Sequence, residues 1–262
     1  MPSDWWTMIG AVRRQKIAEI VREKKSASVT ELAQIFSVTD ETIRRDLKVL
    51  ESKGTLRRSY GGAYVQTGVD NLVDVNIRTT AYRHSKKIIA ARCLRFISNG
   101  DTIFLDNSTT CFYIAKLLQD MRITVLTNNL MILNMLAKCS NIKLIGIGGN
   151  YSLTEKAFYG PIAKLTIARY YVDTSFLSCR SLSLNSGITD STDRWNDVRR
   201  IVLEHSQHTY FVADHSKFDN TSFVHLCDFT EATGIITDEP LSKGWHEGLD
   251  RADCLLIDTD EV

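Results

Sequence analysis

Two groups of residues are suited to chemistry. The first is a polar run, Asp106-Asn107-Ser108-Thr109-Thr110, followed further on by Thr127-Asn128-Asn129 and Gly148-Gly149. Each closes a short apolar stretch. Backbone N–H groups that open a helix, helped by the hydroxyls of Ser108, Thr109 and Thr110, can cradle a phosphate dianion. No Gly-Lys-Ser/Thr follows and Gly-x-Gly-x-x-Gly is absent, so a single small phosphate suits the spacing better than a nucleotide. A plain polar loop is the competing reading. Lys217 follows another apolar stretch and can neutralise a phosphate as a point charge, or it is an ordinary surface lysine. Arg180, after Thr174–Leu177, can pair with a second anionic group. The second group is Thr30, Thr39, Thr42, Arg44, Arg45 and Lys48, with Arg57, Arg58 and Tyr60 beyond them. Arginine and lysine release the counterions condensed on DNA phosphates. An arginine can also meet a guanine edge with two hydrogen bonds, and Thr42 can touch a thymine methyl.

These groups need elements to hold them. From Ser28 to Lys53 the chain reads as two short helices and a tight turn. Ser28 with Glu31 forms a capping box, and Leu32, Ala33, Ile35 and Phe36 supply an apolar face. Ser37-Val38 break the pattern. Thr39 caps the second helix, whose Asp40 and Glu41 suit the positive end of the helix dipole. Ile43, Leu47 and Leu50 recur as one buried stripe, and Thr42, Arg44, Arg45 and Lys48 fall off it. This is a helix-turn-helix with a cationic second helix; a solvated surface helix is the bland alternative. Gly54 suits the helix end, Leu56–Tyr60 reads as a strand, and Gly61-Gly62 as a hairpin tip, which together make a basic wing. Arg13–Glu23 reads as the first helix of this head.

The chain has 262 residues, 44% hydrophobic and 24% charged, with a net charge of +1. That balance hides an asymmetry: residues 1–66 carry +4 and the remainder −3. A basic head on a mildly acidic body fits a head that meets nucleic acid. Six scattered cysteines show no zinc spacing and read as core residues of a reducing cytoplasm. His205, His208, His215 and His225 lack metal spacing too, so no metal and no cofactor is expected. Nothing approaches the roughly 20 apolar residues of a membrane span, and Met1–Gly10 carries no leader pattern. Trp5 and Trp6 there can pack on the head or on a partner chain.

A linker is expected at 67–76, where polar residues interrupt periodicity. Thr79–Phe96 reads as one helix with a solvated basic start at Arg83, His84, Lys86 and Lys87. Apolar runs follow at Thr102–Leu105, Ile123–Thr127, Ile142–Ile147, Thr174–Leu177, Tyr210–Ala213, Gly234–Thr237 and Cys254–Ile257. Helical segments at Thr110–Leu118 and Leu130–Ala137 lie between the first three. That alternation predicts a parallel sheet with helices on its faces, and ligands beyond the carboxyl ends of its strands. Arg199 and Arg200, on a helix over Asp193–His205, read as exposed or interface residues.

The patterns T-I-R-R-D-L at Thr42–Leu47, L-E-x-x-G at Leu50–Gly54 and R-x-Y-G-G-A at Arg58–Ala63 resemble the DNA-binding end of DeoR-type bacterial transcription regulators. The resemblance continues through L-D-x-S-T-T at Leu105–Thr110, Thr127-Asn128-Asn129, Gly148-Gly149, Asp173, Phe176, Gly187-Ile-Thr189 and Ala213–Phe218. It implies an α/β protein: a winged helix-turn-helix over 1–66, and over 77–262 a Rossmann-like sensor domain with a mostly parallel sheet, similar to ribose-phosphate isomerases. It also implies a phosphorylated sugar effector held by these loops, with Thr189 and the acid Asp193 beside the pocket. Asn107 departs from the family's glycine, which tolerates φ > 0 more readily. Cys179-Arg180-Ser181 stands where the isomerases carry an Asp-Glu pair, so the catalytic base that isomerisation needs is missing. The expectation is a cytoplasmic regulator without catalytic residues, most simply a repressor. Its partners are double-stranded operator DNA, a phosphorylated sugar and further copies of itself, as a dimer or tetramer. The competing readings are a sugar-phosphate isomerase with a DNA-binding head, and a DNA-binding protein whose second domain serves assembly alone.

Overall fold

A computed structural model describes residues 10–24, 26–59, 62–64 and 75–260. The chain divides into two compact units, Met1–Arg83 and His84–Val262. The linker expected at 67–76 falls mostly outside the described residues, as do Trp5, Trp6 and Tyr60.

The first unit runs α1 (Gly10–Lys24), β1 (Ser26–Ser28), α2 (Val29–Phe36), α3 (Asp40–Ser52), β2 (Arg57–Ser59), β3 (Gly62–Tyr64) and α4 (Val75–Thr80). The capping box is present: Glu31 N donates to Ser28 Oγ at 3.0 Å, and Ser28 N to Glu31 Oε2 at 3.4 Å. Ser37, left-handed at φ 51°, ends α2, and its N–H and that of Val38 return to the last-turn carbonyls. Ile17, Val21, Leu32, Phe36, Ile43, Leu47 and Leu50 close one core beneath the three helices. The wing is an antiparallel sheet in the order β1-β3-β2. A Cβ on Gly62 would run into the Ala27 carbonyl oxygen and lie 2.9 Å from Ser28 Cα, so the crossing of β3 over β1 demands glycine.

The second unit holds α5 (Arg83–Cys93), β4 (Thr102–Leu105), α6 (Thr109–Ala115), β5 (Thr124–Thr127), α7 (Leu130–Leu136), β6 (Lys143–Gly146), β7 (Asn150–Ser152), β8 (Ala157–Tyr159) and α8 (Pro161–Ile167). It continues with β9 (Val172–Leu177), β10 (Ser181–Ser183), β11 (Gly187–Asp190), α9 (Asp193–Glu204), β12 (Ser206–Val212), β13 (Val224–Cys227), β14 (Gly234–Ile236), α10 (Lys243–Arg251) and β15 (Leu255–Ile257). All seven expected strands form one sheet in the order β15-β14-β12-β9-β4-β5-β6, and every pairing in it is parallel. Alternate residues serve opposite cores. Ile103 and Leu105 pack on one face with Ile89, Ile114 and Ile132, while Phe104 packs on the other with Val198, Phe211 and Leu249. Both faces of the central strands β4, β5 and β9 are covered, as a parallel sheet requires. From β4 the chain adds β5 and β6 to one side, then returns to add β9, β12, β14 and β15 to the other. The order therefore reverses between β4 and β9, and at such a reversal the diverging loops leave a crevice at the carboxyl ends.

Three expectations are corrected. Thr79–Phe96 is not one helix: α4 ends at Thr80, Tyr82 is left-handed at φ 50°, and α5 begins at Arg83, because a left-handed residue cannot continue an α-helix. Lys86 is not solvated but buried, on the face of α5 that carries Ser85, Ile89, Ala90 and Cys93. Arg199 is likewise buried rather than exposed, whereas Arg200 does face solvent and donates to the His225 carbonyl.

Candidate functional site

The first surface is built by α3. Thr39 caps it, with its Oγ1 3.3 Å from Thr42 N and 3.0 Å from Thr42 Oγ1. Ile43, Leu47 and Leu50 fill the core. Arg45 and Lys48 stand in solvent, and Thr42 and Arg44 are half-buried beside them. The Arg45 side chain is 79% exposed and meets Glu41 at 3.5 Å. An exposed pair of that kind contributes about 0–1 kcal/mol, so it does not withhold the guanidinium from a phosphate or a base. Thr30 is exposed on α2. Arg58 is engaged: its N–H and Nε donate to Glu51 at 2.9 and 2.6 Å, which fastens the wing to the last turn of α3. The side chains of Arg57 and Tyr60 lie outside the described residues.

Sequence reasoning missed the role of Asp46. It sits buried on the inward side of α3 and takes Arg13 Nε at 2.5 Å and Arg14 Nη1 at 3.1 Å from α1. This pins the second helix to the first. It also neutralises two arginines that charge counting alone would assign to DNA. The signal was available, since Asp46 lies next to Leu47 and three residues from Ile43 on the buried stripe.

The second surface lies at the carboxyl ends of β4, β5, β6, β9 and β12. Asp106 follows β4 and is a hub. Its Oδ1 accepts Ser108 N at 2.7 Å, and its Oδ2 accepts Ser178 N at 2.8 Å across the reversal point. Arg199, reaching in from α9, lies 3.0 Å from Asp106 Oδ2, 2.5 Å from Asp190 Oδ2 and 3.3 Å from Asn107 Oδ1. Burial alone would raise the Asp106 carboxyl, but Arg199 and the hydrogen bonds from Ser108 and Ser178 hold it below its ordinary value. The two carboxylates in turn keep Arg199 above its own, against the desolvation that would lower it. Asn107 does not have a positive φ, so its departure from glycine leaves the backbone ordinary. Its amide instead bridges Arg199 and, at 3.5 Å, Glu155 of the β7–β8 turn.

The other loop residues divide. Ser108 caps α6 through Cys111 N, with Thr109 and Thr110 buried in the first turn. Asn129 caps α7, and its Nδ2 lies 3.5 Å from the Ser108 carbonyl, tying the β5 loop to the β4 loop. Thr127 Oγ1 accepts Asn129 N at 3.1 Å. Gly149 has φ 135°, and a Cβ there would lie 2.6 Å from the Tyr159 carbonyl oxygen; Gly148 precedes it, exposed. Thr189 is occupied inside the small antiparallel sheet, donating to the Ser181 carbonyl and accepting Ser222 N. Arg180 is partly buried and its N–H donates to the Thr189 carbonyl. Asp193 is exposed in the first turn of α9; the buried acid of that stretch is Asp190. Lys217 Nζ donates to Ser178 Oγ at 2.7 Å and to the Cys179 carbonyl at 2.9 Å. It has no carboxylate within ion-pair distance among the described residues. Two of these cations differ in standing: Arg199 is matched by two carboxylates, whereas Lys217 has only neutral partners among the described residues.

His215 is drawn to Asp238 and Glu239, with Nδ1 2.8 Å from Asp238 Oδ2 and 3.3 Å from Glu239 Oε1, and their ligand atoms lie within 4.8 Å of one another. Desolvation alone would lower this imidazole, but the hydrogen bond to Asp238 and the surrounding carboxylates raise it overall. Sequence spacing could not show this group, because it forms across the ends of β12 and β14. All six cysteines are unpaired. No described helix is long and apolar enough to cross a membrane.

A capped helix-turn-helix with a cationic outer face, carried on the same chain as an α/β unit with polar loops at its strand ends, defines a DNA-binding regulator. The chain belongs to the DeoR family of transcriptional regulators: the DeoR-like helix-turn-helix domain matches residues 13–68, and the DeoR C terminal sensor domain matches residues 82–239. Among curated proteins it is 38% identical to an uncharacterized HTH-type transcriptional regulator, YulB, of Bacillus subtilis, over 93% of this chain and 94% of the relative. It is 34% identical to the L-fucose operon activator of Haemophilus influenzae, over 94% and 98%. Among solved structures, ribose 5-phosphate isomerase from Plasmodium falciparum is similar over 52% of each chain, with 16% identity and a TM-score of 0.37. The family and the curated relatives are regulators, not enzymes.

Proposed function

We propose that this regulator controls genes of carbohydrate metabolism and that a phosphorylated sugar, bound at the strand ends of the second unit, alters its grip on operator DNA. The observation that carries the effector half is Lys217: a partly buried ammonium at the crevice with neutral partners only. A cation left without a counter-charge in a partly desolvated place favours an incoming anion. The hydroxyl-rich first turn after β4 supplies further donors at the ends of the same sheet. A relative named for an L-fucose operon supports the sugar class.

The control is a linkage. A ligand that binds one conformational state better than another shifts the population by its differential affinity, and operator binding follows. One winged helix covers a single half-site, so the working form is a dimer or a higher assembly whose paired heads meet half-sites a helical turn or a multiple apart. Repression is the expected sign. The test is fluorescence anisotropy of labelled upstream DNA with the full chain, titrated with pentose and hexose phosphates. A sugar phosphate that changes operator affinity at least tenfold supports the proposal. No change across the panel, with DNA binding intact, removes the effector half.

A further inference from the structure

Four buried side-chain polar atoms among the described residues have no hydrogen-bond partner: Asn128 Oδ1, Thr192 Oγ1, and both Nδ2 and Oδ1 of Asn196. Asn128 and Asn196 are only 2% and 3% exposed. Buried polar groups in folded proteins are nearly always satisfied, and each exception asks for a missing partner. Here the exceptions are not scattered. Asn196 and Arg199 lie three residues apart on α9, one above the other, and Thr192, four residues before Asn196, is the helix's extended N-cap at the head of that row. The far end of that row is known, because Arg199 touches Asn107 and Asp106 in the β4 loop. The row therefore runs along the side of α9 turned toward the strand ends. Asn128 belongs to the neighbouring β5 loop and is clamped to β8, with its Nδ2 donating to the Phe158 carbonyl at 2.9 Å and its own carbonyl accepting Phe158 N. The clamp fixes the side chain and leaves Oδ1 as the bare atom. α9 reaches the same strand, with Trp195 edge-on to Tyr159 at 5.4 Å between ring centroids.

We infer that Asn128, Thr192 and Asn196 form a hydroxyl-recognising subsite that binds the neutral, polyhydroxylated part of the effector and so sets which sugar the regulator senses. The chemistry of the set is specific. It offers two amide acceptors, one amide donor and one hydroxyl that can act either way, and no charge. Such a set suits groups that both donate and accept, which is what sugar hydroxyls do. Phosphate, an acceptor carrying negative charge, could satisfy neither of the bare amide oxygens. An apolar ligand would leave all four atoms unpaired. The inference rests on the reading of the crevice as a sugar-phosphate site, and it divides the labour there: Lys217 takes the anion and these three residues take the carbon skeleton's hydroxyls. Asn196 and Thr192 were not among the residues that motif spacing pointed to.

The experiment uses the full chain and isothermal titration with a panel of pentose and hexose phosphates, their deoxy analogues, and inorganic phosphate. Three variants are compared with wild type: Asn196→Leu, near in size but apolar; Thr192→Val, which removes only the hydroxyl; and Lys217→Ala. Expected for Asn196→Leu and Thr192→Val is a loss of tenfold or more in affinity for the preferred sugar phosphate, with inorganic phosphate bound as in wild type and a melting temperature equal to or above it. Lys217→Ala should weaken both ligands. Removal of one ligand hydroxyl should cost wild type affinity but cost Asn196→Leu little. Unchanged sugar-phosphate affinity in both Asn196→Leu and Thr192→Val, alongside a loss in Lys217→Ala, would overturn the subsite and leave the effector site standing. Absence of binding by wild type to every sugar phosphate would overturn both.

Discussion

Arg199 Nη2 and Asp106 Oδ2 lie 3.0 Å apart, although 93 positions separate the two residues in the chain. The contact joins α9 to the tip of β4, beside the point where the strand order reverses. Asp190 holds the same guanidinium from the other side. Buried charges of this kind stand because each has its partner, and removing one partner strands the other. Arg199→Met leaves two buried carboxylates without a cation and should cost about 3–5 kcal/mol of stability. Urea unfolding followed by circular dichroism measures it. A midpoint equal to wild type would mean that solvent reaches Asp106 after all.

The same pair predicts a pH dependence. Asp106 is held below its ordinary range in the folded protein. A depressed carboxylate stabilises the fold at pH above its unfolded value, about 3.9, and the contribution is lost as pH falls through the folded value. Melting temperature should therefore drop as pH is lowered below about 4. In Asp106→Asn the drop should be shallower. His215 works with the opposite sign. Its raised value makes its contribution full below about pH 6.5, and that contribution fades as pH rises through the folded value.

At the head, Arg45 and Asp46 are neighbours in sequence with opposite duties. Arg45→Ala should leave the melting temperature unchanged and weaken operator binding, by about 1–3 kcal/mol where the guanidinium reads a base edge. Asp46→Ala unties α3 from Arg13 and Arg14 and should lower the stability of the head itself. Anisotropy with operator DNA and thermal melts of the same two samples separate these effects. Equal affinity for wild type and Arg45→Ala would strike that residue from the interface.

Thiol chemistry offers an independent check on the core. Burial pushes Cys179 up to about 12, with Lys217 acting against it, and pushes Cys254 up to about 12. Cys93, Cys111 and Cys227 are raised as well, chiefly by burial. Thiolate is the reactive form, so these five should be inert in the native chain. Cys139, half-exposed, should react first with a thiol reagent such as a disulfide chromophore. One fast equivalent, and the other five only on unfolding, is the expected stoichiometry. A second fast thiol would point to an opening at the site of whichever cysteine it proves to be.

What could be read from the chain and what could not has a physical pattern. The helix-turn-helix was legible because its determinants are local: a cap, its partner three residues on, and a stripe at helical spacing. The parallel strands were legible because covered faces leave short apolar runs, such as Ile103–Leu105 in β4 and Ile235-Ile236 in β14. The strands β7, β8, β10, β11 and β13 were missed. They are three or four residues long, too short for a period of two to declare itself, and Ile188 pairs with Cys227 across a distant stretch of chain. For Arg199 position outweighs charge. Trp195, Val198 and Val202 sit at helical spacing around it and already put it on the inward side of α9. The same holds for Lys86 between Ser85 and Ile89. The strand-end loops were found from their composition. Which of their groups are occupied and which are bare depends on partners such as Asp190, Glu155 and Ser178, and no local pattern encodes those.

Lys217 is the residue on which the proposed response depends. Its ammonium is fixed by Ser178 Oγ and the Cys179 carbonyl, so it is positioned before any ligand arrives. Those partners are neutral, so truncating the side chain strands no buried counter-charge, unlike the loss of Arg199. Lys217→Ala should therefore fold, keep its affinity for operator DNA, and lose the change in that affinity which a sugar phosphate produces in wild type. Lys217→Arg should restore part of the response, since the charge returns but the guanidinium is planar and longer. The measurement is operator affinity by anisotropy with and without the sugar phosphate that acts on wild type. A full response in Lys217→Ala would show that the anion is held by the β4 loop alone. Loss of operator binding without ligand would mean that Lys217 supports the DNA-competent state itself.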